Sequence, residues 1–187
     1  KLTFLPSAHM LGACQVHVTT PNGDTIGYSG DFTDEDTPPI CDILVIDATH
    51  GSVQFNKKNT NEESLGRRLV DLVERKFLNE SKSIVIHAHR GRLEEVMSLI
   101  SSSKEIPSTT KFFTTERDVA VSNVYKNRSF PMRNILDASS GDNTDYRYDG
   151  QYPFIEFQPG PIKRSYEENH EAYSINLRDY LGEYDCK

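Results

Sequence analysis

Near the start of the chain, three side chains that could serve metal or acid-base chemistry stand in short segments rich in small residues. They are His9 in SAHMLGACQ, Asp31 in YSGDF and Asp47 in DATHG. A neutral imidazole and a carboxylate are suitable donors to Zn²⁺ or Mn²⁺, and a carboxylate placed between two cations can bridge them. Taken singly, each has a plainer reading. An aspartate after glycine is a common turn former, and a lone histidine is more often a hydrogen-bonded surface residue than a ligand. They are spaced by strands rather than by helical turns, so a shared site would have to be assembled at one edge of a sheet.

A second group lies in IVIHAHRGRLEEVM, where His87, His89, Arg90 and Arg92 mark the junction between an apolar run and an amphipathic one. Free N–H groups at a helix start attract phosphate, and guanidinium forks reinforce that attraction. The four residues read either as a contact for a nucleic-acid backbone or as polar residues solvating a strand end. The glycine pattern and the Lys-Ser/Thr pair of a phosphate-binding loop are absent. His17 and His50 read as structural, and Arg67, Arg68, Arg75 and Lys76 as the solvated face of a helix.

The elements that must position these residues change character along the chain. Leu2 to Leu5 is a short apolar run, and Gln15 to Thr20 alternates with Val16 and Val18 on one face. Pro21-Asn22-Gly23-Asp24 is turn chemistry leading into Thr25 to Ser29, so a hairpin is expected to end at YSGDF. Asp34 to Pro39 reads as a polar, proline-closed loop. Ile43 to Ile46 is a continuous apolar run of the kind buried on both faces, and it stops at Asp47. Beyond it, Thr60-Asn61-Glu62-Glu63 fits a capping box, and Leu65, Leu69, Leu72, Val73 and Phe77 recur at helical spacing, which predicts a helix ending near residue 79. A strand over Ser83 to His87, a helix opened by Gly91, a strand over Lys111 to Thr114 and a helix over Glu116 to Lys126 follow. Residues 137–150 read as a long loop, and Phe154 to Phe157 as a strand broken by Gln158-Pro159-Gly160-Pro161. This alternation predicts an α/β layer with a mainly parallel sheet.

The ordered series HMLGACQ, a β-hairpin, YSGDF, a loop with prolines and a hydrophobic strand ending DATHG resembles the second half of the metallo-β-lactamase core in the β-CASP nucleases. That group includes RNA-processing endonucleases of the cleavage and polyadenylation type, the RNase J enzymes and related DNA exonucleases. The resemblance covers residues 1–51, and more faintly the helix-rich stretch after them. It implies an α/β chain: part of a metallo-β-lactamase β-sandwich core over 1–51, a β-CASP-like α/β domain over 52–150 and a return segment over 151–187. By the same resemblance His9 matches a metal-binding histidine, Asp31 the bridging aspartate, and Asp47 the acidic residue opening the β-CASP region. The implied activity is metal-assisted phosphodiester hydrolysis of RNA or DNA, as in mRNA processing and decay, with two zinc ions or Mn in the complete site. The implied partners are RNA or DNA, together with another chain or an N-terminal half completing the core. Two departures bear on this. The family's H-x-H-x-D-H motif is not found in the chain, since His87-Ala88-His89 continues as Arg90-Gly91-Arg92, so most ligands of a two-metal site are lacking. In YSINLRDY, which resembles the family's F-S-x-H return segment, the histidine position is Asn176. An alternative reading is therefore a non-catalytic module that binds nucleic acid or protein and carries a degenerate metal site.

Composition agrees with a soluble globular chain: of 187 residues, 36% are hydrophobic and 26% charged. The net charge of −7 conceals an asymmetry. Residues 1–51 carry a balance of −6, residues 52–133 of +5 and residues 134–187 of −6. A basic middle between acidic ends fits a module facing a polyanion beside parts able to hold cations, or a chance clustering of solvated charge. No apolar run approaches the roughly 18 residues of a membrane span, so no membrane partner is expected, and the start of the chain is unlike a signal peptide. Cys14, Cys41 and Cys186 lie far apart without a C-x-x-C pair, which suggests reduced structural thiols. The expectation is an intracellular protein, cytoplasmic or nuclear.

Overall fold

Alternating residues at the start of the chain form β1 (Leu2–Pro6), β2 (Cys14–Thr19) and β3 (Thr25–Tyr28), joined on the far side of β3 by β4 (Ile43–Val45). In this computed structural model residues 1–33, 36–48, 62–148, 152–160 and 173–177 are described. The chain divides into two compact units, Lys1–Asn59 and Thr60–Lys187. In the first unit the strand order is β1-β2-β3-β4, with β1, β2 and β3 antiparallel and β4 parallel to β3. The expected turn between β2 and β3 is present. The Gly23 N–H donates to the Thr20 carbonyl, and Gly23 takes the positive φ of 96° that glycine adopts at no steric cost.

Register places Leu2, Phe4, Val16, Val18, Ile26, Tyr28, Ile43 and Val45 on one face of this sheet. That face is open: Phe4 is 63% exposed, Ile43 57% and Val45 51%. The expectation that Ile43 to Ile46 is buried on both faces is therefore corrected. Among the described residues β4 is an edge strand paired with β3 alone, and all of its residues are exposed. Where β4 begins, the Asp42 carboxylate accepts the Thr25 N–H at 2.8 Å and the Thr25 hydroxyl at 2.7 Å, which fixes its register against β3.

The second unit is built on five parallel strands in the order β7-β6-β8-β5-β9. These are β5 (Ile84–Ala88), β6 (Phe112–Thr114), β7 (Ile135–Asp137), β8 (Ile155–Pro159) and β9 (Tyr173–Asn176), with helices α1 (Glu62–Glu74), α2 (Arg92–Ser101), α3 (Glu116–Asn127) and α4 (Gly141–Tyr148). The fold is thus mixed α/β with a parallel sheet. Period-two alternation divides its core between two faces. Ile84, Ile86, Phe112 and Phe157 pack with Leu69 and Val73 of α1 and Leu93 and Met97 of α2. Phe113 and Leu136 turn the other way, toward Phe154 and Tyr146 of α4.

Several local expectations are refined. The helical run does continue to Asn79, but its last turn, Arg75–Asn79, is a π-helix. Thr60 and Asn61 of the expected capping box lie outside the described residues. Residues 137–150 are not a long loop: β7 ends at Asp137 and α4 occupies Gly141–Tyr148. Their polar composition hid a helix that tertiary contacts hold, since Tyr146 packs on Phe113 and Arg147 reaches a buried carboxylate. Pro159 does not break its strand either. It is the last residue of β8, opposite Ala88, where no further ladder N–H is required of it. Of residues 151–187, β8 and β9 flank β5 in this sheet.

The buried carboxylate is Glu156, fully inaccessible on β8, and Arg147 Nη2 lies 2.6 Å from it. Gln158 also donates to Glu156. Removing only one member of a buried pair leaves an uncompensated charge, at a cost of about 3–5 kcal/mol. Arg147→Ala should therefore lower the urea midpoint of unfolding severely, whereas the paired replacement Arg147→Met with Glu156→Gln should recover most of the loss. Equal losses in the two variants would refute this account.

Candidate functional site

Strand direction gathers the three candidates of the first unit. Pro6 pairs with Cys14, Val16 with Tyr28, and Tyr28 with Val45. The ends of β1, β3 and β4 and the start of β2 therefore share one edge, from which the segments carrying His9, Asp31 and Asp47 all emerge. The loop from Ser7 to Ala13 is closed by two backbone bonds, Ser7 N–H to the Ala13 carbonyl at 3.0 Å and Ala13 N–H to the Met10 carbonyl at 2.9 Å. His9 Nε2 lies 3.5 Å from Asp31 Oδ2, both side chains partly open to solvent. They line a cleft with Met10, Leu11, Gly12, Ala13 and Cys14. Asp47 is anchored on the same edge, its N–H donating to the Ser29 hydroxyl at 2.9 Å while the Ser29 N–H donates to the Val45 carbonyl.

Asp31 approaches His9 because of Gly30. That residue has φ of +57°, and a Cβ on it would stand 2.9 Å from the Cys14 carbonyl oxygen. Only glycine lets β3 turn this tightly against β2. Asp36 supplies the second constraint, one that sequence reading passed over as part of a polar loop. Its carboxylate accepts the Ala8 N–H at 2.8 Å, the Ser7 hydroxyl at 2.9 Å and the Thr33 N–H at 2.8 Å. Burial pushes its pKa up, but the hydrogen bonds from Thr33, Ala8 and Ser7 outweigh that and hold it below the ordinary carboxylate value. The signal in the sequence was the spacing Thr33-x-x-Asp36, half of a capping-box pattern.

Two donors on one tetrahedral Zn²⁺, each at 2.0–2.1 Å, stand about 3.3–3.4 Å apart. The His9–Asp31 separation is close to that edge length, and the imidazole–carboxylate donor set is one that zinc and manganese accept. Among the described residues no group of three or more His, Cys, Asp or Glu comes together as a metal cluster.

In the second unit, the other candidates lie where β5 ends at the C-terminal edge of the parallel sheet, the edge on which α/β folds place their ligands. His89, Arg90 and Arg92 are exposed, but His87 is turned inward at 3% exposure. A direct contact with a polyanion is thus open to the first three and closed to His87. Arg90 is braced by the fully buried Asp118, with Nε 2.8 Å from Oδ1 and Nη2 3.5 Å from Oδ2. That hydrogen bonding pushes the guanidinium pKa up, so it stays charged. The helix start itself is less available than the sequence implied. Gly91 does open α2, but its N–H donates to Glu94 at 2.6 Å, so an incoming phosphate would find that donor occupied. Asn176 stands opposite His87 in the sheet register, and His50 lies outside the described residues.

Over 106 residues, 54% of this chain and 71% of the other protein, the sequence is 30% identical to the "Uncharacterized protein in lig 3'region" of Acidianus ambivalens. The chain belongs to the same family as that protein. No family model matches the chain. The relative's description gives a gene neighbourhood and no activity.

Two outcomes follow from this geometry. Gly30→Ala should destabilise the first unit by about 1–3 kcal/mol, because an L-residue is strained at this φ and its Cβ meets backbone; an unchanged denaturation midpoint would remove this role for Gly30. Asp42, like Asp36, has a lowered pKa, first through the Thr25 hydroxyl and then the Thr25 N–H. Both folded values lie below the unfolded one, so their contribution is complete above about pH 4 and is lost as pH falls through the folded pKa values. Hydrogen-exchange protection factors at Ala8, Thr25 and Thr33 should be high near pH 5 and fall once both groups are protonated, and equal protection at both pH values would contradict this.

Proposed function

We propose that this chain is part of a metal-dependent phosphodiesterase of the β-CASP metallo-β-lactamase kind, hydrolysing RNA or DNA. The observation that carries the reading is the convergence of His9 and Asp31, from separate loops, to 3.5 Å at one edge of a sheet. His9 and Asp31 fit as ligands of zinc or manganese, with Asp31 suited to bridge two cations. When bound, the metal supplies Lewis acidity, which makes water a nucleophile near neutral pH and neutralises charge on the phosphoryl oxygens. The chain's own residues then have narrower tasks. His9 offers a ring nitrogen, Asp31 offers carboxylate oxygens, and Asp47 stands at the same edge as a further acidic group. His89, Arg90 and Arg92 hold backbone phosphates of the nucleic acid, with Asp118 keeping the Arg90 fork oriented. The open apolar face of the first sheet is covered by the remainder of a sandwich, from elsewhere in the protein or from another chain.

Asn176, where the family's return segment carries histidine, favours a second reading: a nucleic-acid or protein-binding module of the same fold with a degenerate metal site. Metal analysis and nuclease assays on the full-length protein separate the two. With Mn²⁺ or Zn²⁺ supplied, cleavage of RNA or DNA should fall at least about 100-fold in His9→Ala and in Asp31→Ala. A protein that binds neither metal and leaves both polymers intact refutes the enzyme. The phosphate contacts are tested through salt dependence. His89→Ala and Arg92→Ala should weaken binding across all sequences, and Arg92→Ala should reduce the slope of log affinity on log salt by about one. An unaltered slope in Arg92→Ala would place the polyanion elsewhere.

A further inference from the structure

We infer that Asp36 is a positioning residue for the His9–Asp31 pair, its carboxylate fastening the loop that carries one to the loop that carries the other. This rests on the metal-site reading above. Oδ1 accepts the Ala8 N–H at 2.8 Å, one residue before His9. Oδ2 accepts the Ser7 hydroxyl at 2.9 Å and the Thr33 N–H at 2.8 Å, two residues after Asp31. Ser7 extends the link in both directions: its oxygen accepts the His9 N–H at 3.2 Å and lies 3.1 Å from the Asp31 carbonyl. Every one of these partners belongs to the two loops and none to a strand of the sheet. Asp36 itself lies past β3, in the same segment as Asp31.

This distribution of bonds places the reach of the carboxylate in the loops rather than in the strand ladder. The β1-β2-β3 ladder does not use Asp36, so removing its carboxylate leaves the sheet's pairing in place while freeing Ala8 and Ser7 from Thr33. With the two loops joined only through Ser7 and the Asp31 carbonyl, His9 and Asp31 are held less firmly before a cation binds, and affinity drops by that ordering cost. Groups that orient metal ligands in this way typically account for 10–100-fold in metal affinity.

The test is Mn²⁺ titration of the full chain followed by paramagnetic broadening of the His9 and Asp31 amide resonances, with urea unfolding run on the same samples. Wild type should show broadening that His9→Ala abolishes. Asp36→Ala should need about tenfold more Mn²⁺, a loss larger than any fall in its unfolding midpoint accounts for. Asp36→Asn, which retains the shape and one acceptor oxygen, should fall between the two, and it carries the test if Asp36→Ala does not fold. If both Asp36 variants titrate like wild type, the positioning role is overturned and the metal reading stands. If their affinity falls only in step with the unfolding midpoint, Asp36 is merely structural and the inference is overturned. If wild type and His9→Ala are broadened alike, the metal reading itself fails and takes the inference with it.

Discussion

The register between β2 and its two neighbours is the constraint on which the first unit depends. With Pro6 opposite Cys14 and Tyr28 opposite Val16, the chain leaves β1 and β3 at the same edge of the sheet. The parallel pairing of β4 with β3 brings a third segment to that edge. A slip of one residue would turn every side chain of β2 to the opposite face and shift the loops relative to each other. Register is thus what converts residues 9, 31 and 47, remote in sequence, into neighbours along one rim. The local devices at Gly30 and Asp36 act only after this has been done.

The same register creates the open apolar face. Eight apolar side chains from four strands fall on one side of the sheet because each strand keeps a period of two. A patch of this kind is unusual for an isolated surface. The site edge and the apolar face are therefore products of one pairing pattern, and the proposed completion of a sandwich would act on both. A second sheet packed on Phe4, Tyr28 and Val45 would stiffen the strands from which the His9 and Asp31 loops depart.

Most of the fold was legible in the sequence wherever a periodic apolar signal and a turn signal agreed. The hairpin over Gln15 to Ser29, the strand before Gly91 and the helix after it fall within a residue or two of expectation. The failures share a physical cause, in that tertiary partners overrode local composition. The α4 segment is polar and rich in Asp, yet Tyr146 and Arg147 find partners on β6 and β8. Ile43 to Val45 reads as a doubly buried strand because its side chains are apolar, but burial is conferred by neighbours, and among the described residues β4 has β3 alone. At the candidate site, motif order singles out His9, Asp31 and Asp47, whereas the hydrogen bonds that hold their loops have no such signal. The inward turn of His87 was hidden for a similar reason, since a histidine at a strand end reads as exposed until the layer over it is known.

Charge decides what the His9–Asp31 cleft can accept. Residues 1–51 carry a balance of −6, and Asp31, Asp36 and Asp47 all lie near one rim. A phosphodiester brought to within about 4 Å of one such carboxylate is opposed by roughly 1 kcal/mol in water and about 4 kcal/mol at the effective dielectric of a protein surface. Bare, the rim would repel the substrate that the reading assigns to it. Cations held by His9 and Asp31 would reverse the sign and would supply Lewis acidity in the same place, whereas a binding module without metal would need its polyanion contact elsewhere. The exposed His89, Arg90 and Arg92 of the basic stretch are such a place. An acidic rim is therefore compatible with the hydrolytic reading only when cations occupy it, and the binding reading places no such demand on it.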